Sequence, residues 1–363
     1  MTTTTATLRM LLLICISLGQ IRLVTMQSVT VPVHGVYLIT MVADPRGRSY
    51  MILQFNGHDA GFVAYGVEDA IAGLVVAVYL KGGTRVSARY QGNTQAATSL
   101  GVAFASYNER NYVTLRCSGQ YSSPPNIVKF DQRFQSTRVW IRRRVDSYYM
   151  KIRTSGIYWV AARADCGDMN RAVILDVGTG LFDVFCARDK AVSASGAFYL
   201  QAGRYLKVTY KYGNRLQGGT TFSFVYLEGN QQKYIKHTNH IAFTAWTDRL
   251  GQSWHEKLSF NKARPTDYGS LYNSAERVWT IPTAGTYIVS MRGHPDGNTL
   301  KVIFYKSYHK YLFAWFNENR TIGGQAGVFQ FTKGDRLYMV NEYGRYVGKE
   351  TFMSIALLWV ASE

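Results

Sequence analysis

The stretch VFQFTKGDRLYMV, Val328 to Val340, decides how this chain is read. Apolar residues alternate on both sides of Lys333-Gly334-Asp335, which predicts a hairpin of two strands around a tight turn. On the second strand Leu337 and Met339 fall on one face, with Arg336 and Tyr338 on the other. Gly334 supplies a backbone conformation that a Cβ would resist. Weaker copies stand upstream, FYLQAGRYLKVTY at Phe198 to Tyr210 and VYLKGGTRVSARY at Val78 to Tyr90.

Other landmarks recur in step with these. A Gly two residues before a Tyr opens a strand in VHGVYLI (Gly35), TSGIYWV (Gly156) and TAGTYIV (Gly285). The turn glycines Gly83, Gly203 and Gly334 follow, and each unit closes on an apolar strand: SLGVAFAS, TTFSFVYL or TFMSIALLWV. Three landmarks in one order and near-equal spacing indicate a triplicated domain. Between them, short runs rich in Val, Ile, Tyr, Phe and Thr alternate with Gly- and Asn-bearing turns, and no amphipathic helix stands out. The expected fold is all-β, as sandwiches or barrels. The polar stretches at 107–126 and 229–239 read as linkers, leaving units at 26–106, 127–228 and 240–363.

The third unit resembles a known family. IAFTAWTD from Ile241, LSFN from Leu258, VWTIPTAGTYIVSM from Val278, FTKGDRLYMV and TFMSIALL resemble, in order, the globular head of complement C1q. The resemblance implies tandem jelly-roll β-sandwiches of the TNF-like type. It also implies assembly in threes, so three copies on one chain are expected to form an intramolecular pseudo-trimer. Beads on a string and a homotrimer of chains are the alternatives. The second unit keeps the Gly-x-Tyr and closing strands but shows Gly203-Arg204 for Gly-Asp and no clear opening strand. The first lacks its opening strands altogether, and an exposed sheet edge needs a cover.

Residues 1–25 read as a secretory signal peptide, because an apolar run from Met10 to Leu18 follows Arg9 and is too short to span a bilayer. No integral membrane segment is expected, and the mature protein is expected to be secreted. In an oxidising compartment Cys166 and Cys186, at one end of the hairpin RAVILDVGTGLFDVFC, are placed to form a disulfide, with three buried free thiols as the alternative. Asn319-Arg320-Thr321 is a glycosylation sequon.

The formal net charge is +18, from 41 basic and 23 acidic residues, and most of it lies in the second and third units. The densest cluster is WIRRRVDSYYMKIR, with Arg142, Arg143, Arg144, Lys151 and Arg153. On a strand, Arg142 and Arg144 belong to the face opposite Arg143. Lys306 and Lys310 add charge beside Tyr308 and Tyr311 in the third unit. These lysines and arginines are the candidate ligand-binding residues, for an extracellular polyanion, a glycan or a cell-surface protein. A solvated basic face is the bland alternative, and specific nucleic-acid binding is not expected. No catalytic constellation emerges. His237 and His240 lack Cys or carboxylate partners, and Asp296, Asn298 and Asp335 read as turn residues, so neither a metal nor another cofactor is assigned. The expected function is non-enzymatic recognition, in innate pattern recognition or adhesion. A TNF-like signalling ligand or a matrix component is the alternative.

Overall fold

The computed structural model describes residues 28–43, 49–67, 70–91, 99–116, 126–127, 132–134, 139–144, 147–165, 171–176, 181–186, 191–210, 220–227, 241–247, 255–264, 271–293, 300–316, 323–344, 347 and 351–360. Strand dominates among them, and the only helical element there is one short turn, Glu109–Asn111.

In the third unit the strands form two sheets. The inner sheet runs Lys262–Arg264, Ala242–Trp246, Phe352–Val360, Gly285–Gly293, Gly323–Phe331. The outer sheet runs Tyr272–Asn273, Val278–Thr280, Arg336–Tyr343, Leu300–Lys306, His309–Phe316. All pairs are antiparallel, and chain-distant strands lie side by side, which is the jelly-roll order. Tyr287, Val289 and Met291 of the inner sheet meet Leu337, Met339 and Phe304 of the outer sheet in one buried core.

The second unit repeats the inner sheet as Gln132–Phe134, Tyr112–Arg116, Thr221–Tyr226, Gly156–Asp165, Ala191–Leu200. Among the described residues the first has three inner strands, Leu74–Leu80, Gly35–Val42 and Ser99–Ser106. The described residues therefore form three tandem jelly-roll sandwiches. The outer sheets of the first and third units join through one paired position, Phe316 with Ala70.

The recurring turn is not a hairpin turn, which corrects the reading of Val328 to Val340. Gly323–Phe331 pairs with Gly285–Gly293 in the inner sheet, while Arg336–Tyr343 pairs with Val278–Thr280 and Leu300–Lys306 in the outer one. Phe329 and Phe331 thus face Leu337 and Met339 across the core instead of lying beside them. Alternation records which side is buried, and a turn crossing between two sheets buries the same positions as a hairpin would.

What clamps the turn is the same in each copy. The N–H of Gly83, Gly203 and Gly334 donates at 2.8 Å to the carbonyl of Val31, Ile152 and Ile281 respectively. The three glycines have φ of 87°, 85° and 90°, and a Cβ on any of them would meet nothing within 4 Å. Backbone conformation, not space, demands glycine here. Gly334→Ala is expected to cost about 1–2 kcal/mol, with a similar loss at Gly83 and Gly203, measured by denaturant unfolding.

The Gly-x-Tyr motif also acquires a cause. The hydroxyls of Tyr37, Tyr158 and Tyr287 donate to the carbonyls of Val33, Thr154 and Thr283, four residues upstream, at 2.9, 2.7 and 2.7 Å. A Cβ at Gly285 would approach the Trp359 carbonyl to 2.3 Å, and one at Gly35 the Ser106 carbonyl to 2.6 Å. Each glycine stands next to a register shift against the closing strand.

The three units meet on a shared axis. One buried cluster contains Val36, Leu38, Val75 and Ala77 from the first unit and Ile157, Trp159, Ala161 and Val225 from the second. The third contributes Ala242, Ile288, Ala326 and Ala356. Hydroxyls stitch the interfaces. Thr114 Oγ1 donates to the Ala77 carbonyl at 2.6 Å, and the Ala77 N–H donates to Ser223 Oγ at 3.3 Å. The next interface repeats this with Thr244, Ser354 and Ala197, at 2.7 and 2.9 Å. The chain is an intramolecular pseudo-trimer, so light scattering is expected to return the mass of one chain, not three.

Tyr112–Arg116 falls inside the stretch read from the sequence as a linker, and it is the opening strand that sequence comparison leaves unassigned in the second unit. Thr114 pairs with Ser223 there as Thr244 pairs with Ser354 in the third unit. Only the central Thr is common to YVTLR and AFTAW, which is why sequence comparison passes over it.

Candidate functional site: a lysine and tyrosine row

A convergence of partly exposed, ligand-capable groups lies on the outer sheet of the third unit. Tyr305 and Tyr338 are paired across neighbouring strands, with ring centroids 5.1 Å apart and planes within 5°. Lys257 Nζ sits 4.6 Å from the Tyr338 centroid, and Lys310 Nζ sits 6.0 Å from that of Tyr305. Across the sheet the order is Lys257, Tyr338, Tyr305, Lys310, a row with a cation at each end.

Each member is held by its neighbours. Tyr305 pairs in register with Lys310 just after a shift in the ladder between Phe304 and Tyr305. The Tyr338 hydroxyl donates to the Ser307 carbonyl at 2.9 Å. Ser307 has φ of 55°, the left-handed geometry of a tight hairpin turn, and next to it Tyr308 is 87% exposed. Lys257 reaches the row from a distant segment that bridges to Val340, with backbone hydrogen bonds from His255 N–H to the Asn341 carbonyl, from Asn341 N–H to the Glu256 carbonyl and from Leu258 N–H to the Met339 carbonyl. The Arg277 guanidinium anchors that segment by donating to the Lys257 carbonyl at 2.8 Å and pairing with Glu256 at 3.1 Å.

One end of the row is ion-paired. Lys310 pairs with Glu342, whose hydrogen bond is the main reason its pKa is raised. Desolvation is the first cause of the raised Tyr338 pKa, with Tyr305 and Tyr308 adding to it, so its hydroxyl stays protonated. The row therefore presents ring edges and hydroxyls between two ammonium groups.

The candidates named from the sequence fall in several places. Lys310 belongs to the row. Lys306 points instead to the turn, where Nζ lies 2.9 Å from Asp335 Oδ2 and 5.5 Å from the Phe331 ring. Asp335 also accepts the Thr332 N–H at 2.7 Å, so its carboxylate caps its own turn. Lys151, in the second unit, lies 5.7 Å from the Tyr205 ring, and Arg153 is exposed nearby. Arg142, Arg143 and Arg144 lie on strand Val139–Arg144, paired to Tyr149, Tyr148 and Ser147, so positions 142 and 144 belong to one sheet face and 143 to the other. Lys257, Tyr305 and Tyr338 were missed, because only the fold brings them together. Period-two alternation on the flanking strands was the available signal for the two tyrosines.

Cys166 and Asn319 lie outside the described residues, as do His237 and His240, and the side chain of Cys186 is likewise outside them. Among the described residues, no group of three or more His, Cys, Asp or Glu converges. No helix there is long and apolar enough to cross a membrane.

No protein-family model matches the chain, and no curated protein sequence matches it. Among solved structures, the globular domain of zebrafish complement 1qA protein is similar over 33% of this chain and 98% of its own, at 13% identity and TM-score 0.27. The vertex protein P5 of PRD1 is similar over 33% and 99%, at 14% identity and TM-score 0.26. A chain of Sulfolobus Turreted Icosahedral Virus is similar over 92% and 81%, at 8% identity and TM-score 0.21. At such distances the jelly-roll assignment stands on the strand order above, and these likenesses add nothing on function.

Proposed function

We propose that this chain is a non-enzymatic recognition protein whose third unit binds an anionic glycan. The Lys257–Tyr338–Tyr305–Lys310 row, with exposed Tyr308 beside it, is the observation that supports this reading. Exposed Tyr308 offers a ring face for a sugar to stack on, and the Lys257 ammonium, with Lys310 once it exchanges Glu342 for the ligand, offers charge to the sulfate or carboxylate. Other basic residues, including Lys151 and Arg153, extend the positive field that would gather such a polymer.

The test is binding of the purified protein to heparin, used as a sulfated-glycan probe, across a salt series. Retention at about 0.15 M salt that weakens as salt rises is expected, since exposed charges are screened. Lys257→Ala with Lys310→Ala should elute at clearly lower salt, and Tyr308→Ala should weaken binding about threefold or more at fixed salt. Because the Lys310 pKa is raised, binding should stay level from about pH 6 to 9. Heparin binding that ignores all three substitutions, or none at physiological salt, would remove the row from the reading. Saturable, salt-insensitive binding to a cell-surface protein would favour a protein receptor instead.

A further inference from the structure

The pseudo-trimer is unequal in one place. In the second and third units an opening strand pairs with the outer edge of its own closing strand, and both pack on the Leu74–Leu80 or Ala191–Leu200 strand of the preceding unit. The equivalent slot in the first unit runs along the outer edge of Ser99–Ser106, which itself packs on Gly323–Phe331. Among the described residues, nothing pairs with the outer edge of Ser99–Ser106. The flanking strands show it. Ser99 to Val102 and Phe104 are partly exposed, whereas every residue of Thr221–Tyr226 is buried. Gly327 and Val328 across the slot are partly exposed too.

The slot has a defined chemistry. Thr114 and Thr244 each give their hydroxyl to the carbonyl of the residue six before the turn glycine, Ala77 or Ala197. The equivalent acceptor in the third unit is the Val328 carbonyl. Ser223 and Ser354, which add a second hydroxyl, correspond to Gly101 in the first unit, so that closing strand supplies none. The slot requires an extended segment carrying a Thr between apolar or small residues.

We propose that Thr5-Ala6-Thr7-Leu8-Arg9 of this same chain occupies the slot as the opening strand of the first unit. These residues lie outside those the structure describes. They match Tyr112-Val113-Thr114-Leu115-Arg116 in three consecutive residues, with Thr7 at the position of Thr114. The order along the chain is also right. Val29 pairs with Val86 as Met150 pairs with Leu206 and Trp279 with Leu337. From the central Thr to this landmark is 36 residues in the second unit, 35 in the third and 22 from Thr7. The shorter connection still reaches roughly 70 Å when extended, ample for a sandwich whose sheets stand about 10 Å apart. The longer ones carry the additional strands Gln132–Phe134 and Val139–Arg144, or Lys262–Arg264 and Tyr272–Asn273.

A second match, Leu23-Val24-Thr25-Met26-Gln27, fails on reach. With Thr25 opposite Gly101, Gln27 would stand opposite Ser99, and Val29 would have to lie within about 7 Å of it. Val29 instead lies toward the end of the sandwich where Val36 meets Ser106, roughly 15 Å or more away. The assignment to Thr5–Arg9 competes with the reading of residues 1–25 as an export signal, because only one of them keeps Thr7 in the folded protein.

Hydrogen exchange at 99–106 separates the two. The recovered protein should have an intact mass that includes Thr5 to Arg9. Deleting residues 1–20 should speed amide exchange in 99–106 about tenfold or more, and a synthetic peptide of residues 3–12 should restore protection. Should the deletion prevent folding, Thr7→Asp in the full chain should produce the same local loss of protection. A recovered chain beginning after Arg9, or exchange at 99–106 unmoved by these changes, would overturn the proposal. Glycan binding by the third unit is measured separately, so failure of one leaves the other standing.

Discussion

Trp159→Ala is expected to lower the unfolding free energy by about 3–5 kcal/mol, well beyond the loss expected at any of the turn glycines. Trp159 is fully buried on the axis, in a cluster drawn from all three units. Its indole Nε1 meets no hydrogen-bond partner among the described residues, so the loss is one of packing. Fluorescence, circular dichroism and size should report one coincident transition, because the axis couples the units. Trp159→Phe, which retains a ring, should cost less than half as much. If Trp159→Ala shifted the unfolding midpoint no more than a surface substitution does, the shared axis would not contribute to stability.

Alkaline pH should destabilise the fold in a way Tyr287 dominates. Tyr287 is fully buried, and desolvation pushes its pKa far above the ordinary tyrosine range, against the opposing hydrogen bond to Thr283. The folded pKa is therefore raised above the unfolded value. Its contribution is whole below the unfolded pKa near about 10 and is lost as pH climbs toward the folded value, since the unfolded chain releases a proton that the folded chain keeps. Each unit of separation corresponds to about 1.4 kcal/mol. Tyr287→Phe should be about 1 kcal/mol less stable at neutral pH, from the lost hydrogen bond. The deficit should shrink and then reverse above about pH 10, as only the native protein carries the penalty. Tyr37, Tyr112 and Tyr272 are shifted the same way by burial and leave a residual slope. Parallel pH profiles for the two proteins would contradict the assignment.

The parts of the fold legible in the chain were those that local backbone chemistry demands. A glycine at positive φ and a tyrosine bonded four residues back are short-range requirements, so Gly83, Gly203, Gly334 and the three Gly-x-Tyr strands stayed recognisable through divergence. The opening strand Tyr112–Arg116 did not, because its essential feature is one hydroxyl aimed at another unit's carbonyl. Of the candidate site, Lys310 was legible as charge beside tyrosines. Lys257 was not, since it joins the row from a segment 81 residues from Tyr338.

The sequence by itself determined that the chain is all-β, that one unit is written three times, and where each turn lies, because period-two alternation and glycine geometry act over a few residues. Only the tertiary structure decided what those turns connect. Alternation specifies the buried side of a strand and is silent on its partner, so Val328 to Val340 could read as a hairpin while in fact crossing between two sheets. The axis and its Thr and Ser stitches arise from contacts between units, often more than a hundred residues apart, which no local pattern records.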